Sequence, residues 1–286
     1  MWSYDRHAKQ EEELSGTNDL PACFERPKSI DSWQHQRMFD MLAPLIRSSP
    51  GSTWMTIGDG KFGSDAYYLQ AEGVDVTATS ISTHTLQVAH SKGYIKKYAA
   101  QNAEKLSLED NSVDFVLCKE SYHHFPRPPI AFYEMFRVSR KALVLIEPIE
   151  GPTRLLSLAK SWAKRILRGD VTEQFEVSGN YLYRLTTREI FKMLSALGYG
   201  SLAWKGFNTF YLPRFADAEA TGISWANVAT RAGIAVQDLL SRMALLNYGL
   251  ATVICFKEKP SQAVLDQLRG NGFKIVDALV NPYAPQ

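Results

Sequence analysis

Cysteine is scarce in this sequence, with Cys23, Cys118 and Cys255 the only three in 286 residues. They lie far apart, and Cys118 and Cys255 fall inside apolar runs, where a free cysteine behaves as a small buried hydrophobe. Their spacing matches neither a disulfide framework nor a zinc site. The scarcity of cysteine therefore argues against a disulfide-stapled fold and favours a reducing compartment.

The sequence also lacks an excess of either charge and any long apolar run. Its formal net charge is only +2, and nucleic acid usually demands clustered Lys and Arg. No run approaches the roughly 18 apolar residues of a membrane span. Acids stand in the first fourteen residues, where a secretory signal would have its apolar stretch. We therefore expect no nucleic-acid partner and a cytoplasmic location.

Between residues 52 and 148, short apolar runs alternate with helical patterns. Strands are expected at 53–57, 74–79, 95–98, 113–118 and 142–146, and helices at 64–72, 83–90 and 129–138. This alternation is typical of βαβ units around a mostly parallel sheet. The sequence thus predicts a Rossmann-like α/β fold with helices on both faces of the sheet.

The chain divides into four regions by pattern. They are an N-terminal arm and helix (1–50), the alternating core (51–150), a helical cover for substrate recognition with one sheet strand (151–248), and a final strand and tail (249–286). Patterns at 202–212 and 250–256 predict a late antiparallel strand pair. Residues 154–168 combine basic and apolar side chains without an acid, which is typical of a helix covering a core or contacting a membrane surface peripherally.

Three glycines follow the first predicted strand and precede a helix. Gly58, Gly60 and Gly63 allow a tight turn and let a nucleotide-like ligand approach the main chain. Their spacing is the dinucleotide fingerprint, which expects an acid about 20 residues further on to hold ribose hydroxyls. Ser80 stands at that place. A nicotinamide or flavin enzyme therefore stays open at this point.

The motifs that follow resemble the class I S-adenosylmethionine-dependent methyltransferases. Residues 101–106 read QNAEKL, residues 109–125 read EDNSVDFVLCKESYHHF, and residues 132–148 supply the next helix and strand. In that family an Asp- or Asn-Ala-Glu segment sits beside the adenine, and the loop after an Asp-x-Val strand faces the transferable methyl group. The resemblance covers residues 52–148 and implies that the region 51–150 binds S-adenosylmethionine.

The resemblance also implies a cofactor site, residue by residue. Gly58, Asp59, Gly60 and Gly63 would line the methionine and ribose side, Ser80 would lie near the ribose, Asn102, Ala103 and Glu104 near the adenine, and Lys119 and Glu120 beneath the sulfonium. The sequence departs from the family pattern twice. Thr56 replaces the acid near the end of strand one, with Asp59 displaced into the turn, and Ser80 replaces the acid of strand two.

A hydroxyl acceptor invites a general base, because it is a poor nucleophile while protonated. His123 and His124 follow strand four at the ligand-binding edge of the predicted sheet, and imidazole titrates near neutrality. Glu147 and Glu150 point to the same edge, where either could join a histidine on a divalent cation or simply pair with Arg127 or Arg154. The ligand spacing is unspecific, so we assign no metal.

These features together predict a methyltransferase that uses S-adenosylmethionine. We expect O-methylation of a sugar-like or small-molecule hydroxyl, in polysaccharide biosynthesis or natural-product tailoring, because aromatic residues in the second half suit such an acceptor. Two alternatives stay open, an NAD(P)-dependent oxidoreductase and a non-catalytic protein that binds membranes through residues 154–168. Residues 217–248 have a helical pattern that suits a lid or a homo-oligomer contact.

Overall fold

The core of the fold is a mixed sheet, seen in a computed structural model that describes residues 2–17, 19–152, 175–176, 179–277 and 283. Its strands are β1 (Thr53–Ile57), β2 (Asp75–Ser80), β3 (Tyr98–Ala100), β4 (Val113–Lys119), β5 (Ser139–Pro148), β6 (Ser201–Phe207), β7 (Leu250–Phe256) and β8 (Lys274–Asp277). Their order is β3-β2-β1-β4-β5-β7-β6-β8. β1 to β5 run parallel, whereas β7 pairs antiparallel with both β5 and β6. The predicted Rossmann-like fold and its late antiparallel pair are confirmed.

Helices pack on both faces of this sheet. They are α1 (Trp2–Ser15), α2 (Ala22–Glu25), α3 (Ile30–Asp40), α4 (Ala43–Ser48), α5 (Ser64–Ala71), α6 (His84–Ser91), α7 (Pro128–Val138), α8 (Thr187–Ala196), α9 (Pro213–Ala216), α10 (Trp225–Arg242) and α11 (Gln262–Gly270). A capping box begins α8, where the side chain of Thr186 accepts from the backbone N–H of Glu189 and the Glu189 side chain accepts from the backbone N–H of Thr186.

Strand β5 explains why the sheet is covered on both sides. Val144 belongs to one apolar cluster, and its neighbours Leu143 and Leu145 belong to the cluster on the opposite face. Successive side chains of a strand point to opposite faces, and all three residues are fully buried. A continuous apolar run is what a parallel sheet between two helical layers requires.

The order of the strands determines where a ligand can bind. β1 lies between β2 and β4, so the chain crosses to one side of β1 and then to the other. In open α/β sheets, this reversal opens a crevice beyond the carboxyl ends of the strands. The loops that follow β1, β2 and β4 meet there.

Residues Trp2–Ser15, in the N-terminal region, form the helix α1. The segment Trp2–Ser15 contains Ala, Lys, Gln, Glu and Leu, which favour helix, and it ends before Gly16. α1 packs against α6, beside the carboxyl edge of the sheet.

Two sequence predictions concern membranes. The basic stretch 154–168 lies outside the described residues. Within the ranges that the structure does describe, no helix combines the length and the apolar character needed to cross a bilayer.

Candidate active site

Two adjoining cavities lie at the carboxyl edge of the sheet. The smaller cavity, of about 320 Å³, is bounded by the glycine turn, the end of β2 and residues 101–104. The larger cavity, of about 600 Å³, is bounded by the same turn, by α3 and by the end of β4. Residues that line both cavities are His7, Gln10, Glu11, Gly58, Ser121 and His124. Three of these six belong to α1, so the N-terminal helix forms part of the wall of each cavity.

The three glycines of the turn have different surroundings. Gly58 has a φ of 74°, and a Cβ there would come 2.6 Å from the Cβ of Ser121. A Cβ on Gly60 would come 2.4 Å from Oε1 of Glu11. Both glycines line the larger cavity. Gly63 has a φ of 69° and is buried, and a Cβ there would come 3.0 Å from the side chain of Ile95.

Asp59 uses its carboxylate to fix the turn onto α5. Its Oδ1 accepts from the backbone of Asp65 at 3.1 Å, and its Oδ2 accepts from the backbone of Ala66 at 2.9 Å. The hydroxyl of Thr56 also donates to Oδ2, at 2.9 Å. Burial, with Asp65 close by, raises the pKa of Asp59. At the end of β1, where the family pattern has an acid, the hydroxyl of Thr56 therefore donates to the carboxylate of Asp59, three residues later.

The second departure has the same arrangement. The hydroxyl of Ser80, at the end of β2, donates to Oε1 of Glu11 on α1, at 2.5 Å. Burial raises the pKa of Glu11 to about 7. No motif in the sequence singles out Glu11, which stands in a run of three acids.

Residues 102–104 form one wall of the smaller cavity. Oδ1 of Asn102 accepts from the backbone of Glu104 at 2.9 Å. The buried carboxylate of Glu104 accepts from the hydroxyl of Tyr4 at 2.5 Å and from the Nε of Arg127 at 2.6 Å. The contact with Tyr4 ties α1 to this wall.

Lys119 and Glu120 lie at the end of β4 and line the larger cavity. Nζ of Lys119 lies 3.0 Å from Oε2 of Glu120 and 3.3 Å from Oδ1 of Asp65. Burial opposes the charge of the ammonium, but the two carboxylates outweigh it and raise the pKa of Lys119 above its usual value. Glu120 has a φ of 49°, a left-handed conformation that costs a non-glycine residue about 1–3 kcal/mol. Such strain is typical of functional loops.

The structure separates the two candidate bases. Nδ1 of His123 lies 2.7 Å from Oε2 of Glu147, and the carbonyl of His123 accepts from the backbone of Tyr183 at 3.0 Å. His124 lines both cavities. Its Nδ1 lies against Oε1 of Glu176, and its ring centroid is 3.8 Å from that of His123. Burial, with His123 close by, lowers the pKa of His124 to about 3.

Glu147 is committed to the loop that carries these histidines. Its Oε1 accepts from the backbone of Ser121 and Tyr122, at 2.8 and 2.9 Å. Arg127, one of its expected partners, pairs with Glu104 instead, and Arg154 lies outside the described residues. Within the described part of the chain, no three His, Cys, Asp or Glu residues come together as a metal site.

His35 also lines the larger cavity and was not predicted. Its Nε2 lies 3.9 Å from Oδ1 of Asp31, and its Nδ1 lies 3.9 Å from Oε2 of Glu120. Burial and the charge of Lys119 lower the pKa of His35 to about 4. The one local signal is that Asp31 and His35 are four residues apart, which places them on the same face of α3.

Residues 55–146 match a family model described as a methyltransferase domain. Among solved structures, a magnesium protoporphyrin IX methyltransferase from Synechocystis with bound SAH is similar, with 14% identity over 90% of this chain and 97% of that chain and a TM-score of 0.51. A putative methyltransferase from Bacillus halodurans has 18% identity over 77% of this chain and 100% of that chain, with a TM-score of 0.50. At these identities the likeness shows the fold. No curated protein matches the sequence.

The family match decides between the two cofactor interpretations of the glycine turn. The chain carries a class I S-adenosylmethionine-dependent methyltransferase domain. The smaller cavity of this methyltransferase fits the cofactor's nucleoside. It joins a glycine turn to polar groups at the ends of two strands, and Oε2 of Glu11 is buried there without a hydrogen-bond partner among the described residues. A buried acceptor of this kind is costly unless something donates to it.

The aromatic residues of the second half are divided between cavity and core. Tyr211 lines the larger cavity of the methyltransferase, next to Thr209. Phe207 is buried in the core, and the ring of Trp204 packs against that of Tyr248. Half-exposed Tyr181 packs against Phe175. Among these six aromatic residues, Tyr211 is the one that lines a described cavity.

Proposed function

We propose that this methyltransferase methylates an oxygen of a sugar-like or other polyhydroxylated small molecule. S-adenosylmethionine, when bound, supplies a methyl group that is already activated for displacement. The protein then has to align an acceptor and take up its proton. The observation that carries the proposal is that the imidazole of His124, in the loop that follows β4, lines both cavities together with that of His7 from α1.

The residues of the smaller cavity and of the turn are proposed to hold the cofactor. Asn102, Ala103 and Glu104 would lie along the adenine, and Ser80 would lie near the ribose. Gly58, Asp59, Gly60 and Gly63 would form or support the turn beside the methionine, with Lys119 and Glu120 below the sulfonium. These groups include backbone and side-chain acceptors at the ends of β1, β2 and β4, where open α/β sheets bind their ligands.

His124 is proposed as the general base. Its lowered pKa keeps the ring uncharged at neutral pH, so a ring nitrogen can accept a hydrogen bond from the acceptor's hydroxyl, but the same shift makes the ring a weaker base. His123 is proposed as a positioning residue, because Glu147 holds its ring and that ring packs against His124.

The larger cavity is proposed to bind the acceptor. Its wall combines carboxylates, an amide and an imidazole with two phenol rings, namely Asp31, Gln34, His35, Tyr68, Glu120 and Tyr211. Oxygen and nitrogen acceptors bind hydroxyl protons, and aromatic rings cover the apolar faces of a cyclic compound. A polyhydroxylated ring matches both kinds of group.

The test is a screen for methyl acceptors with the purified full-length protein. Pools of sugars, glycosides, phenols, amines and carboxylic acids are incubated with S-adenosylmethionine, and S-adenosylhomocysteine is measured. Products are then identified by a mass increase of one methylene and by NMR of the methylated atom. Turnover of a hydroxyl compound supports the proposal. Turnover confined to amines or carboxylates would disprove it, as would a cofactor-binding protein that turns over none of the pools.

A further inference from the structure

The end of β2 lacks the carboxylate that nucleotide-binding sheets use to hold a ribose. The fingerprint expects an acid there, because two ribose hydroxyls can both donate to one carboxylate. Ser80 occupies the position, and its hydroxyl is already engaged as a donor to Glu11. The strand by itself therefore offers no anionic acceptor to a ribose.

Glu11 brings a carboxylate to this place from α1. Its Oε1 accepts from Ser80, and the same oxygen lies 2.4 Å from the position of a Cβ on Gly60. The carboxylate thus lies between the glycine turn and the end of β2, and the residue lines both cavities. Its Oε2 is buried and has no hydrogen-bond partner among the described residues.

Only the first of three consecutive acids reaches the site. Glu12 and Glu13 are exposed, and Oε1 of Glu13 lies 3.8 Å from Nζ of Lys9, one helical turn earlier. Tyr4 donates to Glu104 from the same helix. Since residues three to four apart share a helix face, the face that carries Tyr4, His7 and Glu11 is the one docked at the site.

The end of β1 has a similar arrangement, in which a hydroxyl replaces an acid and donates to a carboxylate from another position. There Thr56 stands in place of an acid, and it donates to the displaced carboxylate of Asp59. Asp59 is saturated by backbone donors of α5. Glu11 accepts from the hydroxyl of Ser80 and lies near the backbone N–H of Ser82, but its Oε2 is buried and makes no hydrogen bond within the described residues, and that oxygen points to a ligand.

We propose that Glu11 is a cofactor-binding residue that supplies, from the N-terminal helix, the carboxylate for the ribose hydroxyls of S-adenosylmethionine. The inference rests on the assignment of the smaller cavity to the nucleoside. It makes α1 part of the cofactor site rather than a separate arm.

Calorimetric titration with S-adenosylhomocysteine tests the inference without turnover. Glu11→Gln keeps the size of the side chain and removes its charge, so the affinity should fall about 10- to 100-fold, as expected for lost hydrogen bonds to a charged group. Glu13→Gln is the matched control, because it changes an exposed acid on the same helix; its affinity should equal that of the wild type.

Two further measurements identify the ribose as the partner. An S-adenosylhomocysteine analogue without the 2′ and 3′ hydroxyls should bind the wild type and Glu11→Gln equally weakly. The double variant Glu11→Gln, Ser80→Asp returns the carboxylate to β2 and should recover most of the lost affinity. Circular dichroism and thermal unfolding of each variant show that it is folded.

The outcomes separate this inference from the proposed function. If the wild type does not bind S-adenosylhomocysteine, the assignment of the smaller cavity to the nucleoside is wrong, and the role proposed for Glu11 is wrong as well. If the wild type binds and folded Glu11→Gln binds as well or more tightly, the cofactor site stands and the role of Glu11 is overturned. Tighter binding would mean that the Glu11 side chain occupies the ribose position and competes with the cofactor.

Discussion

Oε2 of Glu147 lies 2.7 Å from Nδ1 of His123, while Oε1 of the same carboxylate accepts from the backbone of Ser121 and Tyr122. A fully buried carboxylate at the end of β5 therefore holds the loop after β4. One side chain therefore contacts both the His123 ring and the backbone of the loop that carries the two histidines.

Glu147→Ala should destabilise the protein by about 3 kcal/mol, because it leaves two buried backbone donors without their acceptor. Urea denaturation followed by circular dichroism measures the change. Glu150→Ala is the control: this acid is exposed three residues later and its removal should change stability by less than about 0.5 kcal/mol. Equal effects of the two substitutions would contradict the role given to Glu147.

His124→Ala should lower kcat about 100-fold or more, which is the usual contribution of a general base. Binding of S-adenosylhomocysteine should change little, because the ring is proposed to act on the acceptor. The measurements are steady-state kinetics with the acceptor found by the screen, and calorimetry. His123→Ala should have a smaller effect on kcat, and His90→Ala, on α6, serves as a control for a histidine outside both cavities. Unchanged turnover in His124→Ala would show that His124 is not the general base.

Gly63→Ala should cost more stability than Gly73→Ala. Both positions have a positive φ, 69° and 78°, so both substitutions carry the strain of a left-handed residue. A Cβ at Gly63 also meets Ile95 and Leu86 in the core, whereas a Cβ at Gly73 meets nothing within 4 Å. The difference between the two free energies of unfolding isolates the crowding, which should add about 1–3 kcal/mol. A difference near zero would show that Ile95 and Leu86 can make room for the added methyl group without a loss of stability.

Cofactor affinity should rise with pH between about 5.5 and 8.5. Burial raises the pKa of Glu11 to about 7, so the carboxylate is protonated below that pH and loses an acceptor for ribose hydroxyls. Burial lowers the pKa of His124 to about 3, so that ring stays uncharged over this range, and burial also lowers the pKa of His7, which faces the same cavities. Titration of S-adenosylhomocysteine at several pH values checks the slope, which should be lost in Glu11→Gln.

The stability of the free protein should respond to pH in the opposite direction. A carboxyl group whose pKa is raised in the folded state disfavours folding once it ionises there. This contribution appears as the pH rises from about 4.5 through about 7 and should be absent in Glu11→Gln. Parallel pH profiles of the two proteins would show that Glu11 does not titrate in this window.

The parts of the fold that could be predicted are those with a local signal. β1 and β7 were predicted to the residue, because an apolar run bounded by turn residues needs no information from elsewhere in the chain. The predicted strand at 202–212 ends at Phe207 in the structure. The aromatic residues after Phe207 have the composition of a strand, which extended the prediction too far. In the structure Tyr211 lines the larger cavity instead.

The candidate site was predictable only where it is built from loops of the core. The glycine turn and the segment 102–104 follow strands directly, so sequence order places them at one edge. Glu11 is 69 residues from Ser80, and nothing local distinguishes it from Glu12 and Glu13. Which of the three acids points inward depends on how α1 docks, and docking is a tertiary event that periodicity does not encode.

The docked position of α1 has a practical consequence for work on this protein. The region that matches the methyltransferase family begins at residue 55, well after the helix has ended at Ser15. A fragment that begins at residue 55 would retain the whole glycine turn but lose the wall of the smaller cavity that α1 forms. Weak ligand binding by such a truncation would reflect the missing helix, and bulky fusion tags ahead of Trp2 risk the same false negative.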